Sequence, residues 1–292
     1  MPFESTLNHY KALIEKALDT WLTPADTQPE SLHQAIRYSQ ECGGKRLRPT
    51  LVLAAHSLFP SDEDPLPAAA AVECIHTSSL IHDDLPCMDD SDLRRGHPTC
   101  HKQFDEATAL LAGDALLIHA FTILSRAYQG TPELAIKLVE DLSHASGSTC
   151  LIGGQVEDLL GEKLPPDEKR LEFIHLNKTA ALITASLRMG LRLCNPTDEQ
   201  LKHINTIGHH LGLAFQIVDD ILDQTETTET LGKTAGLDEK NDKLTYPRIY
   251  GLDGAKAKAR EHTQAAIAAC EDLGGNNEFL IALAQKLENR TH

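Results

Sequence analysis

Apolar residues return every three or four positions along nearly the whole chain, and no useful length alternates with period two. "LNHYKALIEKALDTWL" sets Leu7, Tyr10, Leu13, Ile14, Leu18 and Leu22 on one stripe. "LRPTLVLAAHSLF" and "LPAAAAVECIHTSSLIHDDL" are long apolar runs rich in Ala, whose small side chains let helices approach closely at the centre of a bundle. "ATALLAGDALLIHAFTILSRAY", "PELAIKLVEDLSHASGSTCLIGGQVEDLL", "DEKRLEFIHLNKTAALITASLRMGLRL" and "DEQLKHINTIGHHLGLAFQIVDDILDQ" continue the period. Turn-like breaks separate them: "FPSDEDPLP", "RRGHP", "QGTP", "LGEKLPPDEK", "CNPTDE" and "GLDG". Pro132, Pro166 and Pro196 stand near helix starts, where a missing N–H is tolerated. Aromatic residues are only 4%, so the core is aliphatic, which suits helices better than a β-sandwich. The expectation is an all-α single domain over residues 1–292, about ten or more helices without linker or short repeat. The polar, Thr-rich segment 224–247 is either a surface loop or a mobile lid.

The net charge is −16, a field that repels nucleic acid and anionic membranes. It also repels an anionic substrate unless local cations invert the potential. The seven cysteines are odd in number and form no CxxC pair, which points to free thiols in a reducing cytoplasm and away from structural zinc. The N-terminal stretch has no apolar signal region, and no run reaches 18 apolar residues, so no membrane span is expected.

Carboxylates are concentrated where such a chain should avoid them. "LIHDDLPCMDDSD" brings Asp83, Asp84, Asp89 and Asp90 together directly after an apolar helix. "LGLAFQIVDDILDQ" repeats the arrangement with Asp219, Asp220 and Asp223, of which Asp219 and Asp223 share a helix face. A solvated acidic helix end is the commoner explanation of one such run. Two of them at the ends of apolar helices suggest convergence on a cation, because close carboxylates stay ionised only beside one. All-oxygen donors without His or Cys point to Mg²⁺, which keeps open positions for phosphate oxygens. Basic residues sit close by: Lys45, Arg46 and Arg48 in "GGKRLRP", Arg94 and Arg95 in "DLRRGHP", then Lys178, Lys233 and Lys243. Arg suits a bidentate grip on phosphate, so the pattern reads as a pocket for a polyphosphate.

In order and spacing, "GGKRLRP", "LIHDDLPCMDDSDLRRGHPT", "KT" at 178–179, "FQIVDDILD" and "LGK" resemble the trans-isoprenyl diphosphate synthases, or polyprenyl synthetases, across essentially the whole chain. The resemblance implies an all-α isoprenoid-synthase fold, a helical bundle around a central active-site cavity, usually a homodimer. It also implies head-to-tail condensation of isopentenyl diphosphate with an allylic diphosphate. Asp83, Asp84 and Asp89 would hold Mg²⁺ on the allylic diphosphate, and Asp219, Asp220 and Asp223 a third ion. Arg94, Lys178, Lys233 and Lys243 would grip the allylic diphosphate; Lys45, Arg48, His76 and Arg95 would grip that of isopentenyl diphosphate. His76 could instead be a core histidine. Oxygens near Thr179 and the Gln216 side chain would face the developing cation.

Product length follows from the same helix. Ser79 and Ser78 lie four and five residues before Asp83, about 6–7.5 Å deeper at 1.5 Å per residue. Farnesyl diphosphate synthases of the bacterial type usually carry an aromatic floor at the position of Ser78. Its absence here resembles geranylgeranyl diphosphate synthases, with farnesyl diphosphate as the alternative product. His119 and Phe121 are a candidate floor or ordinary core residues. A terpene cyclase would not need the second diphosphate grip, and a non-catalytic subunit would have an eroded Asp motif.

Overall fold

The structure is a computed structural model that describes residues 2–225 and 243–290. Each apolar run forms helix: α1 (Phe3–Trp21), α2 (Glu30–Glu41), α3 (Leu47–His56), α4 (Leu66–Asp83), α5 (Cys100–Gln103), α6 (Glu106–Ala127), α7 (Pro132–Ser146), α8 (Leu151–Gly161), α9 (Glu168–Ile174), α10 (Ala181–Arg192), α11 (Asp198–Thr225), α12 (Tyr246–Leu273) and α13 (Glu278–Glu288). Between α9 and α10 the chain takes a π-helical turn, His175–Ala180. Among the described residues the strands are two-residue pieces, β1 (Leu93–Arg94) and β2 (His97–Pro98), paired antiparallel. Arg95 and Gly96 close that hairpin at φ 55° and 80°. The fold is all-α, as the periodicity implies. Lys233 and most of segment 224–247 lie outside the described residues.

The centre is α4, apolar on almost every side, with Ala68, Ala69, Ala70, Ala71 and Val72 fully enclosed. Its small residues let α6 and α3 close in. At Gly113 of α6, an added Cβ would fall 2.1 Å from the His82 ring of α4. A second apolar cluster joins α3, α10, α11, α12 and α13, and a third joins α9, the end of α11 and the start of α12. Helix α12 breaks at Gly251, where φ is 70°.

Helix α6 is long and apolar enough to cross a membrane by length and composition, with a window of mean hydropathy 1.7. Two acidic residues do not break its apolar character. One face, with Ala109, Ala112, Leu116 and Ile123, packs into the core, while Leu110, Leu111 and Ile118 stay exposed.

Candidate active site

The C-terminal end of α4, the loop before α3, the β-hairpin, α8, the π-helical turn and the last turns of α11 surround one cavity of about 600 Å³. Lys45, Arg46, Arg48, Arg94, Arg95 and Lys178 line it, against Asp83 and Asp219. That local excess of cations inverts the field of a chain carrying −16 overall. His76, Ser79, Gln155, Thr179 and Gln216 complete the polar lining. The Nε of Arg48 and the Nε2 of Gln155 are buried donors with no hydrogen-bond partner in the protein. Unsatisfied donors in a cationic pocket suit an oxygen-rich anion. A larger cleft of about 900 Å³, between α7, α10 and α11, contains none of these residues. Arg188 in its lining is tied to Asp141, which Arg192 also reaches.

The paired aspartates divide their work. Asp83 and Asp219, the first of each pair, line the cavity. Successive residues on a helix point about 100° apart, so the second of each pair turns into the protein. Asp84 is 3% exposed and accepts both Nε and Nη2 of Arg94, the latter at 2.5 Å. Asp220 accepts Gln216 Nε2 and the Tyr246 backbone N–H, each at 3.0 Å, and His175 Nε2 lies 3.3 Å away. Gln216 in turn accepts the Thr179 hydroxyl at 2.7 Å, so Asp220 orients the wall that carries both. Neither Asp84 nor Asp220 therefore faces the cavity as the simple reading of a three-aspartate grip supposes.

Three carboxylates near the cavity have a cation from a distant part of the chain. Lys178 reaches Asp158 of α8 at 2.7 Å, and Lys243 reaches Asp89 at 3.3 Å. Arg290 donates to Asp219 and stacks over Phe215 at 4.1 Å. Burial alone would raise the Asp158 carboxyl, but Lys178 and Lys243 outweigh it and hold it below the usual range. Burial would likewise lower the Lys178 ammonium; Asp83 and Asp158 reverse this and raise it. Asp83 is pushed up by burial, against the pull of Lys178. His76 is held well below its ordinary value by burial, then by Arg48 and Arg95. A neutral His76 accepts from Arg48, whose Nη1 is 3.4 Å from Nε2.

The donor set fits magnesium. It is hard oxygen throughout, on two facing walls. Among the described residues no three His, Cys, Asp or Glu converge as a closed cage. An ion that takes one or two carboxylates and completes its shell with water and phosphate oxygens suits that arrangement.

Of the residues expected from the sequence, Lys45, Arg48, His76, Ser79, Asp83, Arg94, Arg95, Lys178, Thr179, Gln216 and Asp219 share the cavity. Asp89 and Lys243 pair beside it, and Asp223 lies one turn beyond Asp219, buried. Ser78 does not line it: its hydroxyl donates to the Gly113 carbonyl at 2.7 Å, in the α4–α6 seam. His119 donates to the Trp21 carbonyl and Phe121 packs in the core, so neither floors this cavity. Asp158, Gln155, Phe215 and Arg290 belong to the site and were not expected. Asp158 follows Glu157 in an otherwise apolar helix with no motif around it, and Arg290 lies far from any motif, so neither carried a local signal.

The polyprenyl synthetase family model matches residues 29–277. The chain is 45% identical to geranylgeranyl pyrophosphate synthase 12, chloroplastic, of Arabidopsis thaliana, over 99% of this chain and 81% of that one. It is 42% identical to the farnesyl diphosphate synthase of Bacillus subtilis (strain 168), over 99% and 98%. Its fold is similar to a crystal structure of a geranyltransferase from Helicobacter pylori complexed with magnesium and isoprenyl diphosphate. There the TM-score is 0.84 at 35% identity, covering 99% of this chain and 97% of that one. A geranyltransferase from Legionella pneumophila gives a TM-score of 0.87 at 33% identity, covering 99% and 98%.

Proposed function

The chain belongs to the polyprenyl synthetase family and is a prenyltransferase, and we propose that it joins isopentenyl diphosphate head-to-tail to an allylic diphosphate (dimethylallyl, geranyl or farnesyl), releasing diphosphate. One observation carries the proposal: a single cavity holds two separate cation groups. Arg94 and Lys178 pair with Asp84 and Asp158, and Lys243 with Asp89 beside the cavity, while Arg48 contacts His76 and Arg95 contacts the loop that carries Lys45. Two diphosphates need two such grips.

On this reading Asp83, Asp84 and Asp89 with Asp219, Asp220 and Asp223 would hold three magnesium ions, Asp83 and Asp219 from the cavity wall and Asp84 and Asp220 from behind it. Bound magnesium supplies Lewis-acid stabilisation of the negative charge on a departing diphosphate. Arg94, Lys178 and Lys243 hold the allylic diphosphate by charge-assisted hydrogen bonds that strengthen as its C–O bond breaks. The bonding pair leaves with the diphosphate oxygen. Lys45, Arg48, Arg95 and His76 fix isopentenyl diphosphate so that its double bond meets the allylic carbon at close range. Its π pair forms the new C–C bond, and the resulting cation loses a proton to the departed diphosphate. The Thr179 hydroxyl and Gln216 amide oxygens line the wall beside the cation. No protein base is assigned.

Geranylgeranyl diphosphate is the proposed product, supported by the small Ser79 on the cavity wall one turn behind Asp83. The farnesyl reading remains the second one, favoured by the burial of Ser78 against Gly113 and not in the cavity. Residues 1–292 are taken as one domain. We also propose a homodimer, in which the exposed Leu110, Leu111 and Ile118 of α6 meet a second copy, and a cytoplasmic setting consistent with seven free cysteines.

The test is elongation of each allylic diphosphate by isopentenyl diphosphate with and without Mg²⁺, followed by product chromatography. Farnesyl diphosphate should yield a twenty-carbon diphosphate, and EDTA should abolish turnover. A fifteen-carbon product alone overturns the length assignment; no elongation of any starter overturns the activity itself.

A further inference from the structure

Beneath the loop 43–48 lies a charge cluster that the reaction does not touch. Arg46 adopts a left-handed backbone at φ 51°, and this turns its side chain away from those of Lys45 and Arg48 and into the interior. Its side chain is 1% exposed. Nη1 donates to Glu73 Oε1 at 2.8 Å, Nε to Glu15 Oε1 at 2.7 Å, and Nη2 to the Gln40 carbonyl at 2.6 Å. With every guanidinium nitrogen engaged, Arg46 has little left to offer a ligand. Glu73, also 1% exposed, sits on α4 one turn before His76. Its Oε2 accepts no hydrogen bond. Burial lowers both Arg48 and Arg95, and Glu73 is the first group acting against it in each. Arg95 lies against the same loop, donating to the Gly43 carbonyl, and an added Cβ at Gly44 would fall 2.4 Å from its Cζ.

Desolvating the Arg46–Glu73 ion pair, whose side chains are each 1% exposed, is costly. Such a cluster makes sense where position matters more than stability. We propose that Glu73, acting through Arg46, is the positioning residue for the diphosphate grip formed by Lys45, Arg48, His76 and Arg95; this rests on the two-grip reading of the cavity. Glu73 holds the loop and α4 in register before substrate arrives, and it balances Arg48 and Arg95 while their anion is absent. It touches neither substrate and is not a catalytic residue. Glu15, half-exposed on α1, is the outer brace of the same strut.

The expected signature is a split between the two substrates. In the full chain with Mg²⁺, Glu73→Gln should raise KM for isopentenyl diphosphate by about tenfold or more, the usual scale for removing a group that orients a ligand-binding side chain. KM for the allylic diphosphate should stay within about twofold, and kcat within about threefold. Arg46→Lys should reproduce the split in milder form, and Glu15→Gln, a residue itself reachable by water, more mildly still. Equal rises in both KM values, or no change in either, overturn the assignment. If Glu73→Gln does not fold, Arg46→Lys and Glu15→Gln decide it: an unchanged KM for isopentenyl diphosphate in both refutes the role. Wild-type protein that elongates nothing would instead refute the two-grip reading, so the two failures are distinguishable.

Discussion

Gly154 is where two parts of the site come within backbone contact. A Cβ there would lie 2.3 Å from the Lys178 nitrogen and 2.8 Å from its Cα, whereas ordinary contact begins near 3.4 Å. Gly154→Ala must therefore push α8 and the π-helical turn apart by about 1 Å, because no flexible side chain can yield. Helix propensity alone favours Ala by about 1 kcal/mol, and overpacking costs about 1–3 kcal/mol, so the net stability loss is at most about 2 kcal/mol. The effect on rate is larger. Lys178 and Thr179 ride on the displaced turn, and Asp158, one turn after Gly154, anchors Lys178. A misplacement of about 1 Å in positioning groups lowers turnover on the order of 100-fold. Initial rates with labelled isopentenyl diphosphate, alongside thermal melts, measure both effects. Gly130→Ala is the control, since nothing lies within 4 Å of the added carbon. A Gly154→Ala protein within about twofold of wild-type kcat and with the same Tm would refute the close-approach argument.

Ser79→Phe places a ring in the cavity one turn behind Asp83, so the main product should shorten by one five-carbon unit; an unchanged product on chromatography puts the limit elsewhere. Ile118→Glu introduces a charge on the exposed face of α6, and size-exclusion mass should fall from dimer to monomer, with wild-type mass showing that α6 is not the interface. His262 and His210 share a proton between Nδ1 atoms 2.9 Å apart, and burial followed by His210 lowers His262 to about 4. Below its unfolded value near 6.5 the unfolded chain binds a proton that the folded chain refuses. The stability contribution is thus whole above pH 6.5 and lost as pH falls to about 4. Urea melts of His262→Gln should show less acid loss across that window, and identical slopes would contradict the assignment.

The helices were readable because each buries a stripe, and a stripe leaves a period. The two aspartate runs were readable because acids crowded behind apolar helices defy the usual pattern. What escaped had no neighbourhood in sequence. Asp158 stands 20 residues from Lys178, and Arg290 stands 71 from Asp219. Each is one charged residue whose meaning lies in a partner reached only through the fold. Direction around a helix escaped as well: Ser78 and Ser79 are adjacent and equally small, but only Ser79 reaches the cavity. The π-helical turn was invisible because "HLNKTA" differs little from ordinary helix in composition.

Because Arg290 clasps Asp219, any polypeptide fused after residue 290 begins beside the second aspartate cluster. A polyhistidine tag or reporter placed there would add imidazoles or bulk within reach of the ions the carboxylates are meant to gather. Purification handles therefore belong ahead of α1, and assays on C-terminally tagged protein would report on a perturbed second aspartate cluster.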